Sequence, residues 1–218
     1  MKKIILMIGF ITIAAYTNAA TYTLHLKCFI QGYYLPGGTM SEAAVNQGCP
    51  WATPGMTDRV QVFLRNATAP YAIRATGLAT LTTSGNATVI LSHPGLTFGD
   101  YYIDVKNTRN GLETCSRMPV RFNGTDDTYY DFTTSANKAY AANMKEVEPG
   151  VWAFYCGDVN GDGNIDLLDH DAIETDVLNF ASGCKRTDLN GDGNVDILDM
   201  TIFQTNPLGA FIHTWHPW

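Results

Sequence analysis

The stretch "DVNGDGNIDLLD", residues 158–169, returns as "DLNGDGNVDILD" at residues 188–199. Each copy packs four aspartates, two asparagines and two glycines into twelve residues. Carboxylates this close repel one another unless positive charge sits between them. The neighbouring sequence supplies almost none. From Cys156 to Asp199 eleven acids (Asp158, Asp162, Asp166, Asp169, Asp171, Glu174, Asp176, Asp188, Asp192, Asp196 and Asp199) face only Lys185 and Arg186, a net −9, while the whole chain carries −7. The negative charge is local and needs a local explanation. An acidic chain without a basic stripe also argues against nucleic acid and against anionic membrane surfaces.

Numbering each repeat from its first aspartate supplies that explanation. Side-chain oxygens fall at position 1 (Asp158, Asp188), position 3 (Asn160, Asn190) and position 5 (Asp162, Asp192). Glycine follows at 6 (Gly163, Gly193), then Asn164 or Asn194 at 7, Asp166 or Asp196 at 9, and Asp169 or Asp199 at 12. This is the spacing of the EF-hand loop, with aspartate in place of the final glutamate. A hard cation such as Ca²⁺ takes about six to eight oxygen ligands. Oxygens at 1, 3 and 5 converge only if the backbone turns sharply, which glycine at 6 permits. Position 7 lends a carbonyl, position 9 acts through water, and position 12 arrives on a helix with two oxygens. Two copies imply two calcium ions, and loops that need the ion in order to fold. Position 8, Ile165 or Val195, is apolar in both, as expected where paired loops meet across a short β-bridge.

A helical pattern follows each loop, through Leu168, Ala172, Ile173 and Val177, then through Ile197, Leu198, Ile202 and Phe203. No obvious amphipathic helix stands immediately ahead of either. A duplicated loop with its exiting helix resembles the type I dockerin domain, over residues 157 to about 206. That resemblance implies a calcium-dependent docking domain that binds cohesin modules in extracellular assemblies. Dockerins of that kind usually carry a hydroxyl-bearing pair at positions 10 and 11. Here the pairs are Leu167–Leu168 and Ile197–Leu198, expected to be buried against the chain's own β domain or another protomer.

Upstream, Thr21 to about Tyr155 reads as strands. "TYTLHLKCFI" alternates Tyr22, Leu24, Leu26 and Cys28 against Thr23, His25 and Lys27; "RVQVFLRNAT" does so through Val60, Val62 and Leu64. "GLATLTTSGNATVIL" reads as two β-rich runs meeting at a Gly85–Asn86 turn. Further strands are expected in "GDYYIDVKNT", "SRMPVRFN", "TYYDFTTS" and "VWAFYCG". The expected fold is mainly β: an antiparallel Ig-like or prealbumin-like sandwich over 21–155, then a small α, dockerin-like domain over 156–218 with two EF-hand-type calcium loops and an aromatic tail. The run "ATLTTSGNATVIL…GDYYIDVKN" resembles transthyretin-like and collagen-adhesin B-type modules. The order of motifs from "TLHLKCFIQGYY" to "TDLNGDGNVDILD" resembles a β-sandwich and dockerin-like module that ends many large secreted bacterial proteins. Residues 35–56 read as a long loop pinned by Cys49. Adjacent tyrosines (Tyr33–Tyr34, Tyr101–Tyr102, Tyr129–Tyr130) are expected to give one core ring and one surface ring each.

Residues 1–20 read as a signal peptide: basic "MKK", an apolar run, then small residues, with cleavage near Ala19 or Ala20. No later segment is long and apolar enough to span a bilayer. The chain is thus expected to be secreted, extracellular or at the cell surface. Cysteines 28, 49, 115, 156 and 184 in an exported chain imply disulfides. Cys156 and Cys184 each precede an acidic loop, so a bridge between them is expected to staple the two, with one more bridge and one thiol among Cys28, Cys49 and Cys115.

Enzyme chemistry is not expected. The densest acid cluster is committed to metal. The histidines show no zinc or triad spacing, His213 and His216 forming only a loose pair, and no phosphate-cradling loop exists. What remains is a calcium-binding extracellular structural protein that self-associates as a filament subunit, or a docking or adhesion module for an extracellular protein. Three features suit a filament: a first mature strand free to join a neighbour's sheet, an odd cysteine, and a tail carrying Phe211, Trp215 and Trp218.

Overall fold

The computed structural model describes residues 20–94, 96–124, 127–206 and 212–217. The signal peptide expected over 1–20 therefore falls almost wholly outside the described residues, as do Phe211 and Trp218. The strands are β1 (Ala20–Lys27), β2 (Tyr34–Leu35), β3 (Thr39–Met40), β4 (Met56–Asn66), β5 (Ile73–Thr82), β6 (Asn86–His93) and β7 (Gly99–Asn107). After these come β8 (Thr114–Cys115), β9 (Val120–Phe122), β10 (Thr128–Asp131), β11 (Lys145–Glu148), β12 (Val151–Ala153), β13 (Asn164–Ile165) and β14 (Ile212–His213). The helices are the single-turn α1 (Ala43–Asn46), then α2 (Leu167–Leu178) and α3 (Ile197–Gln204).

Two sheets carry the fold, in the orders β10-β1-β6 and β5-β4-β7-β8, with β9 sharing the outer edge of β7. Alternation places the core rows. Tyr22, Leu24 and Leu26 of β1 and Val89 and Leu91 of β6 meet Val60, Val62 and Leu64 of β4 and Ile103 and Val105 of β7 in one cluster. The chain turns at Gly85, whose φ is +79°, as the sequence requires. The two runs it joins do not pair, however: β5 belongs to one sheet and β6 to the other. They pass closely because Gly77 of β5 has no side chain; a Cβ there would lie 2.5 Å from Val89 Cγ1 and 2.8 Å from the Ile90 carbonyl.

The expectation of a wholly antiparallel fold needs correction. β1 pairs with β6 antiparallel but with β10 in parallel, Leu24 opposite Thr128 and Lys27 opposite Asp131. The parallel ladder arises because the chain leaves the second sheet at β9 and crosses to the first, laying β10 along β1 in the same direction. β1 is thereby paired on both sides. The tyrosine pairs also depart from simple alternation. Tyr129 is exposed and stacks on His25 (4.6 Å between ring centres), but Tyr101 and Tyr102 are both buried. Tyr102 is covered from the outer side by Tyr71 of the β4–β5 connection.

The core continues past residue 156. Val159, Ile165, Ile173, Leu189, Met200 and Phe203 belong to the same cluster as the sheet residues. Nor is the 35–56 segment a simple loop. It folds into the β2–β3 hairpin and α1, and a disulfide joins Cys49 to Cys184, with Cα atoms 4.9 Å apart. The expected Cys156–Cys184 bridge is thus replaced. Cys156 lies fully buried against Gly32, whereas α1 carries Cys49 directly to the segment entering the second acidic loop. No second bridge forms; Cys28, Cys115 and Cys156 are buried thiols.

Candidate metal centre

Each acidic repeat closes on itself through the same set of hydrogen bonds. Asp158 accepts from the Gly161 and Gly163 amides at 2.7 and 3.1 Å, and Asp188 from Gly191 and Gly193 at 2.7 and 2.8 Å. Asn160 and Asn190 accept from the amides of Asp162 and Asp192, which in turn accept from those of Asn164 and Asn194. This chain of short-range turns is what Asx side chains at alternate positions favour. Positive φ is needed at two glycines per loop, Gly161 and Gly163 in the first (+80° and +87°) and Gly191 and Gly193 in the second (+73° and +100°). The role of position 4 was not anticipated, although the glycine itself repeats in the sequence.

Positions 9 and 12 tie each loop to its helix. Asp166 and Asp196 are the N-caps of α2 and α3, and Asp169 and Asp199 return the bond, forming a capping box at both helices. Position 12 does more than face a metal. Asp169 Oδ1 accepts from the Val159 and Asn160 amides, while Oδ2 accepts from Asp166; Asp199 repeats this with Leu189, Asn190 and Asp196. Asp158, Asp169, Asp188 and Asp199 are buried, whereas Asp162 and Asp192, with Asn164 and Asn194, are exposed.

The four buried carboxylates are unusual in their charge balance. Among the described residues no lysine or arginine donates a hydrogen bond to them; their donors are backbone amides. Burial raises all four pKa values, those of Asp169 and Asp188 to about 6, and neighbouring acids add to it: Asp158 acts on Asp169, Asp199 on Asp188. Buried anions that press on each other in an all-oxygen setting fit a hard divalent cation. Metal uptake requires these groups ionised. Calcium affinity is therefore expected to hold at neutral pH and to weaken as pH falls through about 6, read by calorimetry across a pH series. The metal-free chain should respond in the opposite sense. A carboxylate whose pKa is higher in the folded state stabilises the fold in acid, and that contribution is lost as pH rises through about 6. A calcium affinity that stays level well below that pH would contradict the reading.

The loops do not meet across position 8. Ile165 pairs with Ile212 in the β13–β14 ladder, while the Val195 amide donates to Ala181 and Asn194 bridges Ser182. Each loop finds a nearer edge, the C-terminal tail for the first and residues 181–182 for the second. Both position-8 side chains are still buried.

The walls differ as well. On the first loop, Lys106 Nζ donates to the Gly161 carbonyl and the Thr214 amide to that of Gly163. On the second, Ser41, Asn46 and Gln47 donate to the carbonyls of Asn190, Gly191 and Asp188. Ala43 sits so close to Gly191 that a Cβ there would be 2.3 Å from the alanine Cβ. Asn110 adds a further tie: its Nδ2 reaches Tyr33 Oη, the Arg186 carbonyl and the Asp188 carbonyl. Arg109 donates to the Lys185 carbonyl and lies 4.0 Å from buried Asp58. Composition gave no hint of Asn110 or Arg109; "NTRNG" reads only as a turn.

A mainly β chain whose C-terminal part holds two matched, oxygen-lined loops with capped exiting helices has the architecture of a cation-loop module. Within it, residues 156–206 match the family described as the dockerin type I domain, which takes in both loops and both helices. No curated protein matches the chain. Dockerin type I domains bind calcium, as the donor chemistry also favours. Among the described residues no helix is long and apolar enough to cross a membrane.

Proposed function

We propose that the chain is a non-catalytic extracellular docking module. On this reading Asp158, Asn160, Asp162, Asn164, Asp166 and Asp169 hold one Ca²⁺, and Asp188, Asn190, Asp192, Asn194, Asp196 and Asp199 a second. The ions neutralise the buried carboxylates and fix the directions in which α2 and α3 leave their loops. The partner is a protein of cohesin type, as the dockerin match favours.

The observation that carries this reading is the exposure of positions 10 and 11. Leu167 and Leu168 are 74% and 65% exposed, and Ile197 and Leu198 66% and 54%, at matching places in the first turns of α2 and α3. The expectation that these pairs are buried against the β domain is thus corrected. The helices turn Ile173, Met200 and Phe203 inward instead, and the capping boxes hold positions 10 and 11 outward. Four aliphatic side chains kept in water on two related helix starts are suited to a partner's apolar surface.

The filament reading finds less support. Over Leu24–Lys27 β1 already has a neighbour on each edge, so that half cannot join another sheet without leaving its own. All three thiols are buried. The described tail is tied to its own chain by the Thr214 amide on loop 1 and the Ile165–Ile212 pairing, while Trp215 stays exposed and tilts against His213 at 4.2 Å.

Leu168→Asp with Leu198→Asp is expected to abolish calcium-dependent binding to a cohesin panel in surface plasmon resonance, leaving the melting temperature within about 1–2 °C of the parent, since exposed substitutions cost little. Undiminished binding by the double variant would refute the docking surface. Calcium-dependent growth in size, lost in the same variant, would restore self-association.

A further inference from the structure

A second cluster of charge lies beside the first loop but shares no residue with it, where the C-terminal tail crosses the edge of β7. Asp104 on β7, Glu113 just before β8 and His216 in the tail each place a ligand atom within 4.8 Å of the other two. No spacing in the sequence announces it, because the three come from separate segments joined by the β7–β8 pairing and by the tail's return. Asp104 is fully buried, and its two oxygens differ. Oδ2 accepts from Arg65 Nε at 2.8 Å, whereas Oδ1 accepts from no nitrogen or hydroxyl group among the described residues; Asp104 also shares a carboxyl–carboxylate hydrogen bond with Glu113. Glu113 Oε1 lies 3.6 Å from His216 Nε2, and its Oε2 is 3.9 Å from Lys106 Nζ.

A buried carboxylate oxygen without a donor is costly, and such groups are satisfied in folded proteins by a partner, a water or an ion. Here Asp104 shares its surroundings with a second carboxylate and an imidazole, one ligand atom of each lying within 4.8 Å of the other two. We infer that Asp104, Glu113 and His216 form a third metal site, distinct in chemistry from the calcium loops, that takes a divalent transition ion of the zinc class. Imidazole among the ligands disfavours calcium and magnesium, and two carboxylates with one histidine leave a position for water. Arg65 on the outer oxygen of Asp104 serves as the orienting neighbour that ligating carboxylates commonly have, leaving Oδ1 directed at the ion. Burial, the charge of Glu113 and the hydrogen bond between the two acids raise the Asp104 pKa, so without an ion the pair shares a proton whose place the metal would take.

Such an ion would pin the tail. Residues 212–214 already edge the first calcium loop, through the Ile165–Ile212 pairing and the Thr214 amide. A zinc-class ion on His216 holds that edge in place from a point two residues farther along the tail.

The full-length secreted chain, kept in excess calcium so that both loops are satisfied, is titrated with zinc by calorimetry. One equivalent is expected to bind, and uptake is expected to disappear in His216→Ala, which alters only the tail and leaves the core intact. Asp104→Asn should behave alike, and His216→Ala decides the matter if Asp104→Asn fails to fold. His170→Ala should retain the uptake; this control separates the site from the exposed His170, Asp171 and Glu174 group on α2. Cobalt in place of zinc should give visible absorption without a sulfur charge-transfer band. No zinc uptake in calcium, uptake unchanged in His216→Ala, or a sulfur band from a cysteine would each overturn the assignment.

Discussion

Chelation of the oxidised protein is expected to lower its melting temperature by about 10–20 °C. Two sites, each held at about 100 times its dissociation constant, stabilise the fold by about 5 kcal/mol in all, and a chain of this size shifts by about 2–4 °C per kcal/mol. The transition should move as one, because Val159, Ile173, Leu189, Met200 and Phe203 lie in the same core as the sheet residues. Asp158→Ala or Asp188→Ala should each give roughly half the shift. Either substitution removes a proposed ligand and also frees two glycine amides that the carboxylate holds. Calorimetric melting with and without excess chelator reads the effect. Superimposable curves would remove calcium from the structural account.

Breaking Cys49–Cys184 should cost nearly as much. The bridge spans a sequence separation of 135 residues. Loop-closure entropy assigns a constraint of that length about 5 kcal/mol, at the upper end of what disulfides deliver. Cys49→Ser with Cys184→Ser should lower the chemical denaturation midpoint and steepen the slope, because the unlinked unfolded chain exposes more surface. Loop 2 should feel the loss first, since α1 and its neighbours supply three of the side-chain donors to that loop's carbonyls. Calcium titration of the double variant is thus expected to split into one site close to the parent and one weaker. Equal denaturation midpoints for the oxidised and serine forms would contradict the stapling role. Thiol titration of the unfolded, oxidised chain should count three reactive sulfurs, belonging to Cys28, Cys115 and Cys156.

How much of this could be read in advance depends on the range of the interactions. The loops were legible because Asx turns, glycine positions and capping boxes act within a dozen residues, and each is written twice. The core rows of β1 and β4 were legible for the same reason: alternation is local, and Leu24, Val60 and Val62 obey it. Pairings between distant segments were not. Nothing in "TTSGN" tells whether the runs it joins pair with each other or part to opposite sheets; Gly77 facing Val89 decides that, in space only. The partner of Cys184 was misjudged because proximity to an acidic loop in the sequence was given more weight than a helix turn arriving from residues 43–46. Of the two covers expected for Leu167, Leu168, Ile197 and Leu198, the chain's own β domain is not the one, because hydrophobicity predicts burial but does not say by whom. The Asp104, Glu113 and His216 group had no signal at all, as its members share no periodicity.

The contact between Ala43 and Gly191 bears on protein engineering. A fragment cut at the family boundaries, 156–206, would lose the wall that supports its second half and leave Leu189 facing solvent. Used as a portable affinity tag, this stretch should behave as a lopsided remnant with one competent half. Grafting should carry residues 31–49 along with it, so that the tag travels with its own backing plate.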